Sequence, residues 1–269
     1  MSTSETATAR LDAAHYAAPA DLDRIRGKAL VIGLVGIVAT AAGYFVNRPV
    51  FFRAYLVAWL VCLSIALGSL AFSMIHHLTG GGWGLVIRRL FEAATRTLPL
   101  LLLLGLPLFF LGLPELYVWA RPDVMAHDEM LQKKAAYLNP TAFYVRYLIY
   151  FAVWGFLAWR LDRLSAAQDA EADPSLIARM KKVAAPGIIA YCLIATFAGV
   201  DWLMSIEPHW YSTIYGIYFF GGHGLTTMAF IILMARYLVA REPMNHVLKA
   251  HHFHDYGKLL FATTMLWAY

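Results

Sequence analysis

The chain has 269 residues, 60% hydrophobic and 14% charged, with a formal net charge of +5 and a mean hydropathy of +0.58. A soluble globular domain carries about 25% charged residues, so the composition excludes one, and apolar runs near ~20 residues place the chain in a bilayer. The basic excess sits in short loops between those runs, which is a topology signal and argues against nucleic acid as a partner.

The first 27 residues are polar, mixed in charge and without the apolar h-region of a cleavable signal peptide. They read as an N-terminal tail, 1–27, ahead of a transmembrane helical domain, 28–269. Spans are expected at about 28–46, 51–78, 97–120, 141–164, 183–205 and 213–240. A further run over 259–269 reaches about half of the ~20 residues a span needs. The expected fold is therefore an all-α polytopic membrane protein with about six complete spans and a partial seventh, a fragment of something longer. Lys and Arg gather at the N-terminus and after the second, fourth and sixth spans, among them Arg24, Arg88, Arg89, Arg179, Lys182 and Arg241. The positive-inside rule then puts the N-terminus in the cytoplasm and the loop between spans five and six on the outer face.

Between the second and third spans, "WGLVIRRLFEAATR" (83–96) is too short and too charged to cross. Trp83, Val86, Ile87, Leu90 and Ala94 share one helical face, and Arg88, Arg89, Glu92 and Arg96 take the other. This pattern predicts an amphipathic helix lying on the cytoplasmic surface with its arginines at anionic head groups; an ordinary interhelical connector covers the same facts. The stretch 165–182 is polar, with Pro174 as a breaker, and reads as a solvated loop.

Polar residues inside spans carry the most information, because a charge at the bilayer centre costs about 2.5–3.5 kcal/mol on the lenient insertion scale. Asp201 lies six residues before Pro208, roughly 9 Å inside the end of span five. Ser205, Glu207 and His209 follow, so that Asp201, Ser205, Glu207 and His209 form an expected polar ladder from the outer water into the bundle. In span six, His223 of "GGHG" falls near the midplane, with Tyr215, Phe219 and Thr227 at i±4 spacing. The flanking Gly221, Gly222 and Gly224 read as helix packing, and the motif is also a candidate helix interruption. Ser69, Ser73 and His76 or His77 form another polar face in span two. Each histidine has a plain alternative, an interhelical hydrogen bond with no further role.

Redox centres are constrained by what these residues allow. Cys62 and Cys192 each lie in an apolar run, with no CxxC, no CxxCH and no thiolate cluster. A redox centre would have to be non-covalent or belong to another chain. Bis-histidine haem needs two ligands at one depth, whereas His76 and His77 are near one end, His223 near the middle and His209 outside. The run "HVLKAHHFHD" (246–255) resembles a metal tract but lacks a supporting carboxylate motif, so no metal site is expected there.

Three stretches, "HHLTGGGWGLVIRRLFEAATRTLPLL", "DWLMSIEPHWYSTIYG" and "HDYGKLLFATTMLWAY", resemble the F-type membrane subunit of bacterial alternative complex III, in the NrfD or polysulfide-reductase membrane-subunit family. The resemblance extends from about Leu30 onward and is most specific in "EPHWYSTIYG" joined to the preceding "DW". It implies a fold of about ten spans, of which this chain supplies the first bundle and the start of the second. It implies a subunit of a respiratory quinol:cytochrome c oxidoreductase in a bacterial inner membrane, itself free of cofactors, with quinone or quinol as a contact. Haem and iron–sulfur centres would belong to partners: a multihaem cytochrome, an iron–sulfur subunit and sister NrfD-type membrane subunits. On that reading Asp201, Glu207 and His209 carry protons and His223 is a deeper relay or quinone contact, with His76, His77, Ser205 and Tyr215 as secondary candidates. The competing reading is a secondary transporter or channel with Asp201 and His223 lining the path.

Overall fold

Hydrocarbon offers no hydrogen-bond partners, so an apolar chain crossing it must satisfy its backbone within helices or a closed barrel. The computed structural model describes residues 20–170 and 173–269, and these form helices with no strand among the described residues. The expected tail 1–27 lies outside the described residues as far as residue 19. Six helices, counting two consecutive segments as one, are long and apolar enough to cross a membrane. The chain is an all-α polytopic membrane protein.

The first helix, α1 (Ala20–Val46), is apolar and largely exposed from residue 29 onward, and it meets the next through Tyr44 against Phe51 and Phe52. Asn47 then caps α2 (Arg48–Thr79) by accepting the Val50 N–H. At the far end of α2 the chain reverses through Gly80 and Gly81, whose φ values of 74° and 98° suit glycine alone.

After that reversal α3 (Gly82–Thr95) and α4 (Leu98–Leu116) run back along the whole of α2. Gly84 lies against the His76 ring and Phe91 stacks on Phe72 at 5.9 Å. Further along, Trp59 donates to the Leu101 carbonyl at 2.8 Å, Tyr55 to that of Leu104 at 2.7 Å, and Gly112 admits Phe52. The helix expected to lie flat over 83–96 is therefore the first segment of an upright arm. Its apolar face is covered by α2 and by α9, introduced below, through a cluster of Phe72, Ile87, Phe91, Met228 and Ile231. Its charged face meets another helix, α7, described below. The expected third span, 97–120, ends as a helix at Leu116. Pro107 weakens helix bonding in the turn before it, and there Tyr147 donates to Leu102 O beside the Trp59 and Tyr55 bonds.

Two short helices, α5 (Pro122–His127) and α6 (Glu129–Lys134), cover one end of the bundle, here called the capped end. They lead to α7 (Pro140–Ala170), and α8 (Pro174–Trp202) starts almost at once, with Asp173 capping it through the Ser175 N–H. The solvated loop expected over 165–182 is thus mostly helix. Pro174 sits where a missing N–H is harmless and φ already suits the helix, so it starts α8 instead of breaking it.

Opposite the capped end, the basic end joins α3 to α7. Arg96 binds Asp162 at 2.9 Å, Arg88 donates to Gln168 at 2.8 Å, and Arg89 pairs with both Glu92 and Asp169. Ser165 donates to the buried Glu92 carboxylate.

The remaining helices are α9 (Tyr215–Leu238), the short α10 (Met244–Val247) and α11 (Ala250–Ala268). α9 runs through "GGHG" without interruption, contrary to the candidate break. Gly224 admits Thr263 of α11, while Gly221 and Gly222 face Leu266 and Trp267. The run expected over 259–269 is the distal half of α11. The main core lies between α2, α4, α7 and α8, where Trp59, Phe109, Tyr147 and Trp202 meet edge to face or stacked.

α2 and α9 approach closely at Gly68. An added Cβ there would fall 2.4 Å from the His223 carbonyl oxygen and 2.2 Å from Thr227 Oγ1. Backbone cannot swing aside as a side chain can, so Gly68→Ala should separate the helices and cost about 1–3 kcal/mol of stability. Thermal unfolding of the purified protein in detergent checks this.

Candidate functional site

Two buried polar clusters lie within the bundle, an ion pair at the capped end and a phenol–imidazole pair further along α8. At the capped end, Asp201 occupies the last turn of α8 and is 1% exposed. Arg146, one turn and a half into α7, grips it with both arms: Nε to Oδ2 at 2.8 Å and Nη2 to Oδ1 at 3.0 Å. Tyr150 donates to Oδ2 at 2.6 Å. The third arm of Arg146 donates to the Tyr137 carbonyl at 3.0 Å, and its guanidinium lies 3.9 Å from the centre of the Tyr137 ring. Burial, reinforced by the charge of Asp201, pushes the Tyr137 phenol above its ordinary value, so it stays neutral.

This arrangement corrects the expected ladder. Ser205 donates to the backbone carbonyl of Asp201 at 2.6 Å and does not reach its carboxylate. Glu207 is exposed. His209 is also exposed and turns to Asp128, Nε2 to Oδ2 at 2.8 Å, while Lys134 donates to Pro208 O at 2.6 Å. Asp201 and His209 therefore serve separate attachments, Asp201 the α7–α8 ion pair and His209 a clasp between the loop after α8 and the α5–α6 cap, while the Glu207 side chain stands exposed. Arg146 was not anticipated, although an arginine in one apolar run and an aspartate in another already ask for each other.

The second cluster lies between α2, α8 and α9. His223 is 1% exposed, its Nδ1 is 2.8 Å from the Tyr191 hydroxyl, and Phe219 packs edge-on 4.4 Å away. With the phenol donating to Nδ1, the imidazole proton sits on Nε2. That nitrogen is buried without a protein partner, as is Ser69 Oγ on the facing helix beside Gly68. Buried polar atoms are usually bonded to protein or to ordered water, so these two leave hydrogen-bonding capacity open at the α2–α9 interface. Thr227 is bonded, donating to Ser64 O at 3.0 Å. Tyr215 is not part of this cluster; it sits against Trp210 and Tyr218, two turns and more from His223. Tyr191 was missed in the sequence, where only its position as a lone phenol in span five could have marked it. It lies ten residues before Asp201, about 15 Å along the helix, so the two clusters are distinct.

His76 and His77 end α2 at the basic end, both buried, with ring centres 5.7 Å apart. Gly68, at the level of His223, precedes His76 by eight residues, about 12 Å, so these histidines and His223 lie at different depths. In the 246–255 run, which is largely helical, His252 Nδ1 accepts the Lys249 N–H at 3.1 Å and caps α11. Among the described residues no three His, Cys, Asp or Glu side chains are grouped to hold a metal. Compared with models of known protein families and with curated proteins, the chain matches none.

Removing one member of a buried ion pair strands the other charge. Arg146→Leu alone should cost about 3–5 kcal/mol, whereas replacing both Arg146 and Asp201 by Met should recover most of that loss. Thermal unfolding of the single and double variants measures both. At the clasp, the Leu131 N–H, helped by His209, holds the Asp128 carboxyl below its ordinary value. Its contribution is therefore present above the ordinary carboxylate range and lost as pH falls through the lowered value. Amide exchange at Met130 and Leu131, corrected for intrinsic rate, should show protection fading only at that acid limit, and Asp128→Ala should lack it throughout.

Proposed function

We propose that the protein is a cofactor-free integral-membrane subunit of a respiratory quinol:cytochrome c, or similar acceptor, oxidoreductase. The motif resemblance to the F-type subunit of alternative complex III supports this reading, and the multi-pass helical fold agrees with it. The carrying observation is the Tyr191–His223 pair, buried in the bundle with Nε2 unpaired and Ser69 Oγ facing the same helix interface.

Quinol oxidation delivers electrons to an acceptor and protons to a base. The electrons would go to haem and iron–sulfur centres of a multihaem cytochrome and an iron–sulfur subunit, beside sister NrfD-type membrane subunits. Imidazole titrates near neutral pH when unperturbed and is a natural proton carrier. Here Nε2 would contact the quinone head or pass a proton, and Tyr191 would fix the ring orientation through Nδ1. Asp201, expected to move protons, contributes structure in this account because Arg146 and Tyr150 hold both of its oxygens. The proposed setting is a bacterial inner membrane with the N-terminus in the cytoplasm.

Co-purification with haem and iron–sulfur subunits is the first expected outcome; isolation of the chain alone from its native membrane would count against the assignment. In the assembled complex, His223→Leu and Tyr191→Phe should each slow quinol oxidation by roughly tenfold to a hundredfold, the lower range for a positioned proton-transfer group. Normal rates in both variants would remove the proposed role from this cluster.

A further inference from the structure

The arginines of α3 are engaged by α7 and by Glu92, but the opposite end of α3 has no side-chain cap among the described residues. Its cap residue is Gly81, which has no side chain to receive the first-turn N–H groups of Gly82, Trp83 and Gly84. Gly80 and Gly81 are explained by their positive φ. Gly82 is not: its φ is ordinary, and an added Cβ would meet nothing within 4 Å. Neither the backbone nor packing calls for glycine there, and its bareness leaves the helix N-terminus open to approach.

Gly84 has the opposite character. A Cβ on it would fall 2.3 Å from His76 Nδ1, so the glycine is what lets the imidazole lie on the first turn of α3. His76 is 8% exposed, and its Nδ1 is buried with no partner. Trp83 closes over the ring edge-on at 5.5 Å. Two independent features therefore converge at one point: uncapped N–H donors at a helix N-terminus, and an unpaired buried imidazole nitrogen against the same turn.

We propose that the turn Gly80–Gly84, together with His76, binds a phosphate group, carried either by a phospholipid head group or by a soluble phosphate. Phosphate oxygens are acceptors for backbone N–H groups, and the positive end of the α3 dipole favours an anion there. His76 in its Nδ1–H tautomer adds a side-chain donor. The basic end of α2 is also where a membrane's head groups would meet the bundle if α2, about 48 Å long, spans ~30 Å of hydrocarbon.

The test is thermal unfolding of the purified full chain in a phosphate-free maltoside detergent. It is titrated separately with inorganic phosphate and with phosphatidylglycerol, using a neutral galactolipid as the lipid control. The expected result is a saturable rise in Tm with at least one phosphate probe and none with the galactolipid. A response to phosphatidylglycerol alone assigns a lipid; a response to inorganic phosphate assigns a soluble anion. Gly82→Pro removes one N–H while keeping a residue that starts helices well, and the ψ of 153° at Gly81 suits the position before proline. His76→Phe keeps the ring and removes its nitrogens. Each variant should weaken the response roughly tenfold, the loss of one charge-assisted hydrogen bond. If one variant fails to fold, the other carries the comparison. No response to either phosphate probe, equal response to the galactolipid, or full retention in a folded variant overturns the proposal.

Discussion

A carboxylate almost wholly removed from water must be paired, and the Arg146–Asp201 contact is the constraint around which the capped end is arranged. Its two parallel hydrogen bonds fix the rotation of α7 against α8. The same guanidinium binds Tyr137 O, which anchors the segment leading out of the cap. Tyr117 donates to Trp202 O one residue beyond Asp201, tying the end of α4 to the end of α8. Trp202 in turn packs against Trp59 and Phe109 in the main core. Core packing, the cap and the loop after α8 thus meet at one ion pair. Such a pair gives little net stability over apolar replacements, and its contribution is geometric.

The basic end uses the same chemistry less deeply. Three arginines at α3 pair with Glu92 of the same helix and with Asp162 and Asp169 of α7, and the pairing holds α3 to α7. Once these charges are paired, polar groups without partners become informative. Of the buried side-chain atoms without a partner among the described residues, those of Ser69, His223 and His76 lie along the interface where α2 meets α9 and α3, and the others are the phenol and indole groups of Tyr137, Tyr256, Trp119, Trp154 and Trp202. A close glycine contact lies beside each histidine, Gly68 at His223 and Gly84 at His76. Close backbone approach normally improves packing in membranes, and here it also presses unpaired polar atoms into the helix seam.

Much of the fold was legible in the sequence because hydrocarbon imposes a simple rule on long apolar runs. The helices containing the first, second, fourth, fifth and sixth spans follow from that rule. The elements misread were those whose polarity has an internal explanation. Residues 83–96 carry an interfacial pattern, but Asp162, Ser165 and Asp169, more than 60 residues away, neutralise their charged face. The described residues of 165–182 are largely exposed, as their polarity suggests, but polarity does not exclude helix, and α7 and α8 extend through most of the stretch. At the site, burial of Asp201 and His223 could be anticipated from their position in spans. Their partners could not: Arg146 and Tyr191 lie 55 and 32 residues away, and only helix rotation decides which polar groups face each other. Glu207 and His209 are neighbours in sequence, yet a loop pointing toward the cap separates their roles.

The central claim is a division of labour, with Arg146–Asp201 structural and Tyr191–His223 chemical. It is tested most directly by the quinol-oxidation rate, per folded complex, of a double variant carrying Arg146→Met and Asp201→Met. The account predicts the parental rate, because the pair can be exchanged for packed apolar side chains without touching the His223 cluster. A folded, fully assembled double variant that no longer oxidises quinol would contradict it and return Asp201 to the proton path.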